Sequence, residues 1–144
     1  GIQLRIAAKV PRGEKGYFAR AIEPQVDGKN VQLVGEVDDR AKQEFLANAA
    51  ALLFPIDWPE PFGLVLIEAL ACGTPIVAFP GGSVPEILED GVTGFIVRDL
   101  DEAVAATREI ERLDRAACRS SFERRFTASR MASSWLRPSA RRVP

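Results

Sequence analysis

Residues 59–94 read PEPFGLVLIEALACGTPIVAFPGGSVPEILEDGVTG. Two glutamates, Glu60 and Glu68, flank a Phe62-Gly63 step with the character of a helix start, and Gly81-Gly82-Ser83 forms a second turn downstream. Between them, Phe62, Val65, Leu66, Ala69, Leu70 and Gly73 share one face at the i, i+3, i+4 spacing. Leu64, Ile67 and Ala71 make much of the remaining surface apolar too. The spacing predicts a helix over 62–72, buried nearly all round, followed by a strand over 75–79.

Outward from this stretch the chain alternates. Residues 4–10 form an apolar-rich run closed by Pro11-Arg12-Gly13, which predicts a strand and a turn. In 14–23, Phe18 and Ile22 lie four apart among charges, which predicts a helix ended by Pro24. Asp27-Gly28 turns the chain into a strand at 31–34. Asp38 or Asp39 caps a helix whose Ala41, Phe45 and Ala49 share a face, and 50–54 follows as a wholly apolar strand. Beyond 79 the reading is a short helix at 83–89, turns at Asp90-Gly91 and Thr93-Gly94, a strand at 95–98, and helices over 101–113, 115–125 and 127–136. Strands apolar on both faces and alternating with helices predict an α/β fold, a doubly wound, Rossmann-like parallel sheet covered by helices. Ligands of such sheets bind at the carboxyl ends of the strands, which selects the loops at 11–13, 35–38, 57–63 and 80–83.

Composition narrows the chemistry. The 144 residues carry a net charge of −1 and no histidine, so no global field calls for nucleic acid and no Ser-His or Cys-His pairing exists. Cys72 and Cys118 are too few for a disulfide framework. No run reaches the roughly 18 apolar residues of a membrane span, and the expected compartment is the cytoplasm.

Glu68 is the only charge in its helix, with no Lys or Arg three or four residues away. A buried carboxylate without a partner costs several kcal/mol, so Glu68 is expected to face a polar cleft or ligand, the alternatives being a distant cation or a solvated edge. Gly63 at the helix start leaves backbone N–H groups open for an anion; its alternative is tight packing on a neighbour. Glu60 suits the same dipole as a capping acid, worth about 0.3–1 kcal/mol. Carboxylates that accept hydroxyl protons, beside N–H groups that take phosphate oxygens, fit a nucleotide sugar. Gly81 and Gly82 admit close backbone approach, while Ser83 and Glu86 match the S-x-x-E capping box as well as a ligand contact. Trp58 either stacks on a ligand ring or packs locally. Lys9, Arg12 and Lys15 either neutralise phosphate or are solvated, and no Walker frame is present.

The run from Glu60 to Gly94 resembles the donor-binding signature of retaining glycosyltransferases of family 4, with the GT-B fold. Two glutamates eight apart with F-G between them, A-x-G-x-P, G-G-x-x-E and G-x-x-G stand in register, and V-x-L-V-G-E-V at 31–37 and A-L-L-F-P at 51–55 fit too. The resemblance implies that Glu60 contacts hydroxyls of the donor sugar at the catalytic centre and Glu68 the ribose hydroxyls. It places the backbone of Phe62, Gly63 and Leu64 at the diphosphate or sugar, the loop from Gly35 to Val37 at the nucleobase, and Gly81, Gly82 and Ser83 on the facing side of a donor cleft. It further implies transfer from a nucleoside-diphosphate sugar with retention and without a metal or other cofactor.

Set against that family, the chain is expected to lack an N-terminal acceptor domain and the first donor-domain strand with its G-R and E-K-G cations. The expectation is a fragment or degenerate copy, inactive alone, with a nucleotide-sugar-binding domain over 1–114 and a helical tail over 115–144. From Arg115 onward the chain carries eight arginines against one acid, Glu123. That tail reads as a solvated or domain-contacting face rather than a membrane or nucleic-acid surface, with self-association an outcome of exposed apolar surface. Two other readings stand beside the transferase. One is a catalytically silent binding or assembly module. The other is a glycoside hydrolase, because Gly63 to Glu68 rises about 7.5 Å along a helix and paired carboxylates about 6.5–9.5 Å apart can act as acid and base.

Overall fold

The computed structural model describes residues 1–135. The expected helix end at Leu136, the break at Pro138 and the arginines at 137, 141 and 142 lie outside the described residues, as do the side chains of Met131 and Trp135. The strands are parallel and alternate with helices, an α/β architecture, in two compact units over residues 1–42 and from residue 43 onward.

In the first unit β1 (Leu4–Ile6) pairs with β2 (Val31–Leu33), Leu4 opposite Val31 and Ile6 opposite Leu33. The connecting helical segment is wound unevenly. A 3-10 turn at Arg12–Glu14 leads into α1 (Lys15–Tyr17), a π turn at Phe18–Ile22 and a 3-10 turn at Glu23–Gln25 that holds Pro24. None of these residues is buried, so no packed face enforces one regular helix over 14–23. Asp27 fixes the entry to β2 by accepting the N–H groups of Lys29, Asn30 and Val31 at 2.7–2.9 Å. Those donors, Val31 first, pull its carboxyl down to about 2. No residue of this unit reaches full burial, as expected of a segment near the size below which a chain rarely builds its own core.

Helix α2 (Asp39–Ala47) crosses the boundary between the units. Its cap is Asp38, whose carboxylate accepts the Ala41 N–H at 2.8 Å. Its buried residue is Leu46, whereas Ala41 is exposed, so the inward face lies one position round from the expected one.

The core belongs to the second unit. There β3 (Leu52–Phe54), β4 (Ile76–Ala78) and β5 (Gly94–Ile96) pair in that order. The helices are α3 (Leu64–Ala71), α4 (Val84–Ile87), α5 (Leu100–Arg108), α6 (Arg115–Arg125) and α7 (Ala128–Trp135). Ile76 and Ala78 meet Leu66 and Leu70 of α3, Val84 and Ile87 of α4 and Cys118 of α6. Val77, pointing the opposite way, meets Val97 and Ile110, with Phe95, Ala103 and Ala106 against them. Both faces of β4 are therefore covered, as a central parallel strand requires. Full burial of side chains such as Leu66 and Leu70 contributes about 1.5–3 kcal/mol each. Gly94, expected in a turn, is the first residue of β5 opposite Ile76. A Cβ there would run into the Ile76 carbonyl, so glycine is what lets the two strands approach.

Helix α3 ends on Gly73, whose left-handed φ of 68° lets Thr74 N–H return to the Ala69 carbonyl at 2.8 Å. The arginines of α6 finish the capping of neighbouring helices. Arg115 donates to the carbonyls of Ala47 and Ala49 at 2.7 Å each and to Thr74 Oγ1 at 3.0 Å. Arg119 donates to the Ala71 carbonyl, and Arg125 to those of Ile87, at 2.9 Å, and Glu86. Cations thus stand at the carboxyl ends of α2, α3 and α4, where carbonyls lack intrahelical partners and the dipole is negative.

Replacing Arg115 with alanine is expected to cost about 2–3 kcal/mol, because charge-assisted bonds to main-chain carbonyls are lost. The matched control Arg112→Ala, which removes only an exposed pair with Glu109, should cost at most about 1 kcal/mol. Urea unfolding of both variants checks this, and equal losses would refute the capping role.

Candidate functional site

Two loops at the carboxyl ends of β3 and β4 meet directly. The Glu60 carbonyl accepts the Ser83 N–H at 2.9 Å. Gly82, with φ +53°, lies so close beneath that a Cβ would fall 2.5 Å from Glu60 N and into the Glu60 carbonyl. A Cβ on Gly81 would stand 3.2 Å from the Trp58 carbonyl oxygen. Main chain rests on main chain, and the group approaching the two glycines is the 57–63 loop itself.

The carboxylate of Glu60 folds back over the start of α3. Its Oε1 accepts the N–H groups of Phe62 and Gly63 at 3.3 Å each, and its Oε2 accepts the Trp58 indole N–H at 3.3 Å. The Gly63 N–H, then that of Phe62, then the indole hold its pKa below the ordinary carboxylate value. Glu60 is thus a stabilised anion and a hydrogen-bond acceptor. A glycosidase's general acid needs the opposite shift, upward, so Glu60 does not suit that role.

The helix begins later than the periodicity predicts. Gly63 is its N-cap, with φ 60° and ψ 41°, and the first helical residue is Leu64. The left-handed backbone favours glycine, and a Cβ would meet Ser83 Oγ at 2.8 Å and Ile87 and Leu66 at 2.9 Å. Tight packing on a neighbour therefore accounts for this glycine. Leu66 and Ile67 both donate to the Gly63 carbonyl, so the N–H groups of Leu64 and Val65 stand ahead of the helical ladder. Nor is the helix buried all round: Leu66, Ala69 and Leu70 are, but Leu64 is 68% exposed and Phe62 72%. Trp58 is 60% exposed.

Ser83 does not cap α4. Its φ of −76° and ψ of −8° are helical, no side-chain cap bond forms, and its buried Oγ has no hydrogen-bond partner. The capping box with Glu86 is accordingly absent. Glu68 is half-buried on α3 and engaged within the structure; its charge is felt by the Cys72 thiol, which desolvation chiefly pushes up. Gly35, with φ 79°, and Val37 lie after β2 in the first unit, whereas Glu60, Phe62, Gly63, Leu64, Gly81, Gly82 and Ser83 belong to the second. In that unit Lys9 pairs with Glu36 at 3.1 Å. Among the described residues no three of Cys, Asp and Glu gather to hold a metal ion, and no helix is long and apolar enough to cross a membrane. Sequence reasoning missed the Trp58–Glu60 bond and the orphaned Ser83 hydroxyl. The two-residue spacing of Trp58 and Glu60 was the available signal for the first; nothing in the sequence marks the second.

The pattern of the family described as glycosyl transferases group 1 matches residues 16–121. A D-inositol 3-phosphate glycosyltransferase of Mycobacterium leprae is 51% identical over 110 residues, 67% of this chain and 26% of that one. An uncharacterized 41.2 kDa protein of the cps region of Klebsiella pneumoniae is 31% identical over 122 residues, 78% of this chain and 33% of that one. In fold, Anabaena HepE in complex with UDP superposes with a TM-score of 0.77 at 23% identity, over 93% of this chain and 40% of that one. HepE in complex with UDP-glucose superposes with a TM-score of 0.75. The chain spans about a quarter to two fifths of the length of these relatives.

Two outcomes are expected from the loop geometry. Gly82→Ala should destabilise the second unit by about 2–4 kcal/mol, as overpacking adds to backbone strain; a loss under about 0.5 kcal/mol in urea unfolding would contradict the contact. For Glu60, a lowered folded pKa means stability that is full above the unfolded value near 4.3 and lost as pH falls through the folded value. The stability gap between the wild-type chain and Glu60→Gln should therefore close on acidification below about pH 4. A gap independent of pH would rule out these N–H donors as its source.

Proposed function

The chain belongs to the glycosyl transferases group 1 family, and from that premise we propose that it is a donor-binding domain for a nucleoside-diphosphate sugar. In this reading Glu60 takes hydroxyls of the sugar, Glu68 takes the ribose hydroxyls, and the backbone at Phe62, Gly63 and Leu64 meets the diphosphate or sugar. The loop at Gly35 and Val37 borders the nucleobase, and Gly81, Gly82 and Ser83 support the sugar end. Transfer with retention, of the family 4 kind and without a metal, completes the reading. It calls for a second, acceptor-holding domain, for which the greater length of the relatives leaves room.

The observation that carries the proposal is the placement of an ionised Glu60 across the start of α3, beside the Leu64 and Val65 N–H groups ahead of the ladder. An anionic acceptor of hydroxyl protons next to backbone donors for phosphate suits a ligand bearing both groups. HepE, which shares the fold, is crystallised with UDP and with UDP-glucose, in keeping with such a ligand. Stabilisation of charge developing on the leaving diphosphate by helix-start donors is the electrostatic mode of catalysis expected of this arrangement.

A thermal-shift panel of UDP-, GDP- and ADP-sugars beside free oligosaccharides tests the assignment. Ligand at 100 times Kd adds about 2.7 kcal/mol of stability, so one nucleotide series should raise the melting temperature. Glu68→Ala should weaken that binding about tenfold or more. A response to oligosaccharides alone, or to nothing in the panel, defeats the proposal.

A further inference from the structure

We propose that Trp58 is the sugar-facing platform of the donor site, an indole anchored at its edge to Glu60 so that its open face receives the ring whose hydroxyls that carboxylate accepts. The inference rests on the donor-binding reading above. Three observations bear on it. The main chain of Trp58 is pinned, its carbonyl accepting the Glu60 N–H at 2.9 Å and abutting Gly81. Its edge is pinned too, through Nε1 to Glu60 Oε2 at 3.3 Å. Its ring is nonetheless largely exposed. A tryptophan that serves packing buries some 150–250 Å²; this one is held in place and presented.

The surroundings specify what the ring is presented to. Phe62, whose N–H meets the other oxygen of the same Glu60 carboxylate, and Leu64 two residues on are exposed too, and neighbouring exposed apolar groups mark interaction sites. Within this patch stands an anionic carboxylate. Burying that charge under another protein's apolar surface would leave it desolvated and uncompensated, and charged groups are depleted at the centres of protein interfaces. A pyranose meets both demands, with an apolar C–H face for the indole and hydroxyl donors at its rim for Glu60. The diphosphate does not, since Glu60 would repel it. Trp58 should therefore discriminate the sugar-bearing nucleotide from the bare one.

The experiment uses the full chain carrying Trp135→Phe, which leaves Trp58 as its one tryptophan. The probes are UDP and UDP-glucose, GDP and GDP-mannose, and ADP and ADP-glucose. For the nucleotide series that binds, the sugar-bearing form should shield Trp58 from acrylamide quenching, and the bare diphosphate should not. Trp58→Ala should weaken the sugar-bearing form about 3- to 10-fold and leave the bare diphosphate unchanged. Trp58→Phe, which keeps a ring and loses the indole N–H, should recover most of the loss. Equal effects on both forms, or unaltered quenching with sugar bound, overturn the platform while the donor reading stands. Shielding that appears only with rising protein concentration assigns the ring to a self-contact and also overturns it. Binding of none of the six defeats the donor reading and this inference together.

Discussion

The close passage of the Glu60 main chain over Gly82 is the constraint on which the site depends. Ser83 N–H reaches the Glu60 carbonyl only because no side chain intervenes at Gly82. That bond fixes the 57–63 loop at one point, and the Trp58 carbonyl lying against Gly81 fixes it at another. Between them the Glu60 side chain has little choice but to fold over the N–H groups of Phe62 and Gly63. The left-handed Gly63 then turns the chain directly into α3 above Ser83 and Ile87. Glycine at three positions thus converts two strand-to-helix loops into one rigid piece, a precondition for holding a ligand in a defined geometry.

The parts of the fold legible in the sequence were those governed by local period. The α3 run announces itself by its length and its Gly73 stop, and the apolar strand around Val77 by being covered on both faces. What the sequence did not disclose was long-range. A glycine states that a Cβ is excluded without stating by what; at Gly82 the excluding group is the chain's own Glu60. The S-x-x-E pattern at Ser83 failed for a conformational reason, since an N-cap needs extended backbone and Ser83 is already helical. Gly94 read as a turn because of the Thr93-Gly94 pair, yet strand pairing with Ile76 claims it. Of the site, the pairing of Glu60 with the helix start was readable from spacing. The loop of Gly35 and Val37 was picked out by its place after a strand, and only its role at the nucleobase came from resemblance.

The arginines of α6 show the same limit in composition. Counted, they suggest a basic surface open to solvent. Placed, Arg115, Arg119 and Arg125 each reach main-chain carbonyls at the end of a different helix, and Arg124 and Arg125 approach Glu89, which also accepts from the buried Ser121. Arginine suits this task because its planar fork serves two carbonyls at once, as Arg115 does at Ala47 and Ala49. Charge that looks surplus in a sequence can be spoken for by acceptors remote in the chain.

The same reasoning applies to Glu60, which occupies donors that a phosphate would also want. Its contacts with Phe62 and Gly63, at 3.3 Å, are longer than the roughly 2.7–2.9 Å of strong charge-assisted bonds, so they orient the carboxylate without exhausting its capacity to accept. The donors of Leu64 and Val65 lie further into the helix and outside its grasp. A ligand carrying hydroxyls at one end and phosphate at the other would meet the two regions in that order. Reversed, it would set phosphate against an anion whose pKa is already held down and which has no proton to give. The polarity of the helix start and the ionised state of Glu60 together favour one direction of binding. That preference follows from the local main chain, which fixes where each donor and the carboxylate stand.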